Sequence, residues 1–510
     1  MPSPRWTHRD SLAALALFLL PWALFQSLLG LIGPRQYLAA GDFTDQFLAF
    51  GDFAVRELAA GRLPLWNPFA YGGAPFWADI QSAVAYPPNL LVYLLSARLW
   101  GRLPFMALEL SVLLHLGLCA AFTYAFARRH LGDRGGALLA AISFGLGGYL
   151  TGYPMLQLAI LQAVTWLPFL FWAQDRAAAA GRPAPMRDGG SPPARTIPRL
   201  AQLRPDPWQA LALALVLLAG HAQTALHTGL LGLVHAWWLG RDGREDRGDR
   251  TRRLGSGDPA GDDRGDGADR ENRPARGNRA DTYAGPRWRG AWAALCPPPL
   301  LGYLGSVLLA LLLAAPGWLP ALDFMRRSTR ASADYAMLSG GFPPAELLGL
   351  ALPGLTLWSP LYIGLLPLLL ALTALARWLS PRAATEVNDP PPPAGEIDGI
   401  EKPEQPPSER AAPPPPTLWP ALAATSLLLS LGRHAFAFDL FYLLVPGFRL
   451  FRGQERAAVA VSFSLAMLAG WALARWRRGD DGLGRGLARG GVVASALGAL
   501  LATVAAPALR

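Results

Sequence analysis

Apolar runs of about 15 to 25 residues recur along the chain, separated by stretches rich in arginine and proline. Runs of that length suit the ~20 residues a helix needs to cross the hydrocarbon of a bilayer. The first covers residues 11–33 and follows Arg5, His8 and Arg9, which predicts a cytoplasmic N-terminus by the positive-inside rule. It is longer than a signal-peptide core, so it reads as an uncleaved anchor, although Leu38-Ala39-Ala40 imitates a cleavage site. Further spans are expected at 104–127, 136–153 and 156–173, then at 291–315, 361–379, 418–432, 457–475 and 490–507. Residues 208–239 carry the polar insert Gly220-His221-Ala222-Gln223 at their centre and fit one long tilted helix or a hairpin of two short ones. The hairpin is preferred, because it keeps residues 240–290 cytoplasmic. The expectation is an all-α, polytopic integral membrane protein of about eleven transmembrane helices.

The sides alternate accordingly. Residues 1–10 form a cytoplasmic N-terminus and 34–103 a large first external loop. In that loop the short apolar segment Tyr86 to Trp100 lies in the interface, not across the bilayer. Spans in 104–239 enclose a cytoplasmic loop at 174–207, and spans in 291–379 enclose an external loop at 320–345. Those in 418–507 follow or flank an Arg-rich external segment at 433–456. The charged stretch 240–290 and the Pro-rich stretch 380–417 read as disordered cytoplasmic linkers, too polar to bury a core. Ordered external segments are therefore where function is expected.

Composition narrows the picture. Of 510 residues 52% are hydrophobic and 16% charged, against about 25% charged in ordinary soluble proteins. The net charge of +10 comes from short basic segments beside apolar runs, where it sets orientation and meets anionic lipid, and no nucleic-acid motif accompanies it. Cys119 and Cys296 each lie within apolar runs, so neither a disulfide nor a cysteine metal site is expected.

Three groups of residues carry candidate chemistry. The first external loop contains GDFTDQFLAFGDF, and on a regular helix Asp42, Asp45 and Asp52 would share one face. Such carboxylates suit acid/base work or a divalent cation (Mg or Mn) held by Asp42 and Asp45, and equally a solvated helix face. The loop continues with Trp66, Asn67, Tyr71, Trp77, Asp79, Gln81, Tyr86 and Asn89. This mixture of flat rings and directional polar groups suits a sugar or acceptor, while an interfacial aromatic belt explains the rings alone. The third group is Arg327 and Arg330, then Arg449, Arg452 and Arg456, on the expected outer side where orientation rules disfavour arginine. As Arg452 and Arg456 are four apart, a helix would aim both guanidinium groups at one phosphate. His221 and Gln223, inside an apolar run, should face the protein interior or a cavity.

The series GDFTDQF (41–47), PLWNPFAYGGAPFWADIQSAVAYPPN (64–89) and GHAQTA (220–225) resembles the YfhO family of bacterial membrane proteins, relatives of GT-C glycosyltransferases. Weaker matches are SFGLGGYL (143–150), RRSTR (326–330), YIGLLPL (362–368) and PGFRLFRGQERAAVAVSFSLAMLAG (446–470). The resemblance implies a polyprenyl-phosphate-linked sugar donor, a cell-envelope polysaccharide or similar acceptor, and a site on the outer face of the bacterial plasma membrane. It makes Asp42 the expected catalytic carboxylate and does not firmly demand an acid at Asp45. The chain departs from the pattern in a contracted region between Pro353 and Tyr362. Two other readings compete: a transporter or flippase of lipid-linked saccharides, and a non-catalytic envelope scaffold.

Overall fold

The computed structural model describes residues 5–31, 34–38, 40–180, 203–255, 295–328, 334–354, 360–379 and 417–479, with side chains of the 203–255 stretch described to residue 241. Within these residues the chain is mostly helical, and the one sheet is the two-stranded pair β1 (Trp66–Asn67) and β2 (Ala74–Pro75). The principal helices are α1 (His8–Leu24), α2 (Ala49–Ala59), α3 (Pro87–Trp100), α4 (Phe105–Leu131), α5 (Arg134–Gly145), α6 (Leu158–Thr165), α7 (Leu167–Ala180), α8 (Pro207–Leu218) and α9 (Ala222–Gly255). They are followed by α10 (Pro298–Leu313), α11 (Ala315–Arg326), α12 (Leu365–Leu379), α13 (Leu418–Ser430), α14 (Ala437–Leu444) and α15 (Ala458–Trp476).

Helices α4, α5 and α15 form the centre. Nearly every side chain of α15 is buried. Small residues let these helices touch backbone to backbone: a Cβ added to Gly136 would lie 2.3 Å from the Gly470 carbonyl oxygen, and one on Gly117 would lie 2.4 Å from that of Phe18. Close approach of this kind is how helices associate where no hydrophobic drive distinguishes a neighbour from lipid.

Among the described residues, α4 and the run from Gln454 through Trp476 are each long and apolar enough to cross a membrane. Helices α10 and α11 pass the same test together but bend by 78° at their junction, where Pro316 lies in the first turn of α11. Helices α8, α12 and α13 are apolar but shorter than a bilayer requires. Eleven regular spans are therefore not what the described helices present. The span expected at 136–153 stops at Gly145, and residues 146–157 form two single-turn helices, Gly148–Thr151 and Tyr153–Leu156, divided by Gly152 with Pro154 just beyond. The expected first span breaks at Phe25. The stretch at 208–239 is a hairpin turning at Gly220 (φ +88°): its entry lies by Arg176, which pairs with Asp206, and its far arm returns to Asp175 beside His235. Helix α9 then continues through Gly255, so residues 240–255 are helical and not linker. The rest of that linker to residue 290, residues 380–416 and the span expected at 490–507 lie outside the described residues.

The ends of the bundle sort by chemistry. At one end the buried Asp10 carboxylate accepts from Arg128 (2.8 Å), Arg134 (3.0 Å) and Tyr124 (3.0 Å). The Asp175 cluster and the Arg477–Asp133 pair lie at this same end of α4, α5, α7 and α15. At the other end Glu109, fully buried, is paired with Arg35 and accepts from the Leu38 amide.

Candidate functional site

Asp42 stands at the start of a π-helical turn, Phe43–Leu48, which runs directly into α2. Phe43 and Phe47 are buried and anchor this turn, Phe43 meeting Phe105 edge-on at 5.6 Å. A π turn holds about 4.4 residues in place of 3.6, so the i, i+3 alignment expected of the three aspartates fails here. Asp45 is exposed beside Thr44, and Asp52 turns elsewhere, paired with Arg56 and accepting from the Leu103 amide at 2.9 Å.

Asp42 points into the bundle instead. Its Oδ2 accepts from the Tyr153 hydroxyl at 2.9 Å and from Gln157 Nε2 at 2.6 Å. Both donors come from the broken stretch after α5, and irregular backbone at such depth is tolerated where it is enclosed by protein or lines a cavity. The Tyr153 hydroxyl is within electrostatic reach of both Asp42 and Arg456.

Arg456 sits on a short 3-10 turn, Gln454–Ala457, that leads into α15. Its Nη1 donates to Gln223 Oε1 (3.3 Å) and to the Arg452 carbonyl (3.0 Å), and Gln223 Nε2 donates to the Gly453 carbonyl (3.1 Å). The GHAQ and RGQER motifs, far apart in the chain, therefore interlock. The turn is held from behind by Gln454, buried, whose Nε2 donates to Leu338 and Phe451 carbonyls. Three polar atoms here are buried without a hydrogen-bond partner among the described residues, Arg456 Nε, Gln157 Oε1 and Gln454 Oε1. Buried donors and acceptors are rarely left so, and they mark where a ligand or water would bond.

One helical turn after Gln223, His227 is buried against Phe448, and neither ring nitrogen has a partner among the described residues. It lines a cavity of about 230 Å³ between α9, α13 and α15, whose other walls include Leu231, Phe441 and Val459. The cavity reaches the surface at Ala421 and Thr425, both exposed.

The other sequence candidates are dispersed. Tyr86 and Asn89 are interior: the Tyr86 hydroxyl bonds His115 Nε2 at 2.8 Å and accepts from Trp166, and Asn89 exchanges hydrogen bonds with Gln162. Asn67 and Asp79 shape turns, accepting from the Phe69 and Gln81 amides. Trp77 donates to the Pro316 carbonyl at the α10–α11 bend. Trp66 packs over Gly73, and Tyr71 is fully exposed at φ +55°. These rings and amides hold the loop together and do not assemble a single sugar-shaped surface around Asp42. His221 caps the start of α9 through Thr224.

The arginines also separate. Arg452 is exposed and precedes Gly453 (φ +77°), so it shares no helix face with Arg456. Arg449 donates to the Tyr442 carbonyl and lies over that ring, and Arg327 pairs with Asp323 on the surface. Arg330 lies outside the described residues.

Of the two acids expected to hold a divalent cation, Asp42 has its Oδ2 taken by two hydrogen-bond donors and Asp45 is exposed, and no group of three or more His, Cys, Asp or Glu able to hold a metal occurs among the described residues.

Tyr153, Gln157 and His227 were not singled out by sequence. The signal for the first two was Gly147-Gly148, Gly152 and Pro154 crowded into an apolar run, a density of helix breakers that marks a gap in a span. Comparison with protein-family models, curated proteins and solved structures finds no match for this chain.

Proposed function

We propose that this chain is a membrane glycosyltransferase of the YfhO and GT-C kind, with about eleven membrane segments, some of them broken. It would transfer a sugar from a polyprenyl-phosphate donor to a cell-envelope glycan or similar acceptor at the outer face of the bacterial plasma membrane. The observation that carries the reading is the Asp42 carboxylate held by Tyr153 and Gln157, with Arg456, whose buried Nε has no partner among the described residues, within electrostatic reach of that same tyrosine.

The parts suit a single displacement. Oδ2 of Asp42 is fixed, and Oδ1 receives no hydrogen bond among the described residues, leaving it to take the proton of an acceptor hydroxyl. The acceptor oxygen bonds to the anomeric carbon as the bond to the donor phosphate breaks, and the electron pair leaves with the lipid phosphate. Arg456 receives that growing charge through its Nε. The apolar cavity beside His227 gives a hydrocarbon chain a place against Ala457, the chain neighbour of Arg456, which favours a lipid donor over a soluble nucleotide sugar.

The test is release of free lipid phosphate by purified protein in nanodiscs, offered a panel of polyprenyl-phosphate sugars with envelope extract as acceptor. Donor-dependent release supports the reading. Folded protein that releases none from any donor counts against it and favours a flippase or scaffold.

A further inference from the structure

Beside the π turn lies a broad open cleft of about 850 Å³ that Asp42 does not line and the proposed reaction does not use. It is bounded by the π turn and α2 on one side and by the end of α3 and first turns of α4 on the other. Three arginines reach it, Arg35, Arg56 and Arg102, and its remaining wall includes Leu48, Trp100 and Phe105.

The hydrogen-bond inventory shows these arginines only partly satisfied. Arg35 spends Nε on the Leu28 carbonyl and Nη2 on Glu109 and lies over the Tyr37 ring at 4.6 Å, while Nη1 has no hydrogen-bond partner among the described residues. Arg56 spends Nε on Asp52 at 2.6 Å, and neither terminal nitrogen has a hydrogen-bond partner among the described residues. Arg102 is exposed, and no ion pair to it occurs among the described residues. Among the described residues Asp52 is the one acid on the cleft wall, and it is already bound to Arg56 and the Leu103 amide. The cleft thus offers planar cationic donors on one side and apolar surface on the other.

Its position selects among anions. It opens at Phe105, Met106 and Leu110, the first turns of a helix long and apolar enough to cross a membrane. Phospholipid phosphates lie at that level, with acyl chains directly beyond them. We propose that the cleft binds the headgroup of an anionic phospholipid, its phosphate gripped by Arg35, Arg56 and Arg102 and its upper chain laid against Trp100 and Phe105. The volume suits a headgroup with the start of its chains. This inference rests on the membrane reading and not on glycosyl transfer.

The experiment is native mass spectrometry of the full chain released from detergent, titrated with phosphatidylglycerol or phosphatidylcholine. Retention of phosphatidylglycerol about tenfold over phosphatidylcholine is expected, as is a loss of about tenfold in Arg102→Gln, the effect of removing one charge-assisted contact. Arg102→Lys should recover part of it, and Arg433→Gln, at an exposed arginine away from the cleft, should leave it unchanged. Equal retention of the two lipids, or unaltered retention in Arg102→Gln, overturns the proposal. Displacement of the lipid by millimolar inorganic phosphate would show a free-anion site and overturn it as well. No outcome depends on activity, so failure here leaves the Asp42 reading standing and failure of that reading leaves this one.

Discussion

Gln157 Nε2 donates to Asp42 Oδ2 at 2.6 Å, joining residues 115 positions apart. The contact sets which carboxylate oxygen remains open. Gln157→Glu would put a second carboxylate against the first, and like charges in contact disfavour ionisation of both. The acidic limb of the activity profile should therefore move to higher pH, because a base with a raised pKa loses its proton only at higher pH. Activity measured from pH 4 to 9 checks this; an unmoved limb would separate Asp42 from proton transfer.

Arg456 and Arg449 make opposite predictions despite sitting seven residues apart. Arg456→Gln should lower turnover about 10²-fold or more, the usual cost of losing a donor aimed at developing charge. Arg449→Gln should change it by less than about threefold, because Arg449 is occupied by Tyr442. Comparable losses in both would mean that general basicity near headgroups matters and not the Gln223–Arg456 arrangement.

Asn89→Leu tests the assignment of the interior amides to folding. The substitution strands Gln162, which exchanges hydrogen bonds with Asn89 inside the bundle. A buried amide left unpaired costs about 1–3 kcal/mol, so the melting temperature should fall while turnover per folded molecule holds. A selective rise in KM with unchanged melting would instead place Asn89 at the substrate.

These contrasts show what was legible in the residues. Helix α4 and the run ending at Trp476 match apolar stretches whose composition leaves no alternative, and the hairpin at Gly220 follows from a polar insert in an apolar run. Asp42 was visible as an acid in the first external loop, Gln223 as a polar group in an apolar run and Arg456 as an arginine on the side where orientation rules disfavour it. Their company was not. Tyr153 and Gln157 lie where hydropathy alone continues a span, and only the glycines and Pro154 interrupt it. The facing of Asp45 and Asp52 depended on a π turn, which side-chain periodicity does not announce. Tyr86 and Asn89 looked like ligands for sugar because isolated polar and aromatic residues look alike whether their partner is substrate or another helix.

Acid should loosen the end of the bundle opposite the site. Burial alone would raise the Asp10 carboxyl, but hydrogen bonds from Arg134, Arg128 and Thr7 outweigh it and hold the group well below the ordinary carboxylate range. A depressed folded-state pKa gives stability that is present above the unfolded value of about 3.9 and is lost as pH falls through that value toward the folded one. The wild-type melting temperature should drop from about pH 5 downward, and Asp10→Asn should start lower at pH 7 and change less over that range. Parallel slopes for the two proteins would remove Asp10 from the acid response.

The central claim is that Asp42 takes the acceptor's proton. Asn is isosteric, keeps an oxygen for Tyr153 and Gln157, and lacks basicity, so Asp42→Asn isolates that role. Single-turnover release of lipid phosphate should be compared in nanodiscs at matched melting temperature and matched donor binding. The account predicts a fall of at least about 10²-fold with donor affinity retained. Release at the wild-type rate from Asp42→Asn would contradict it.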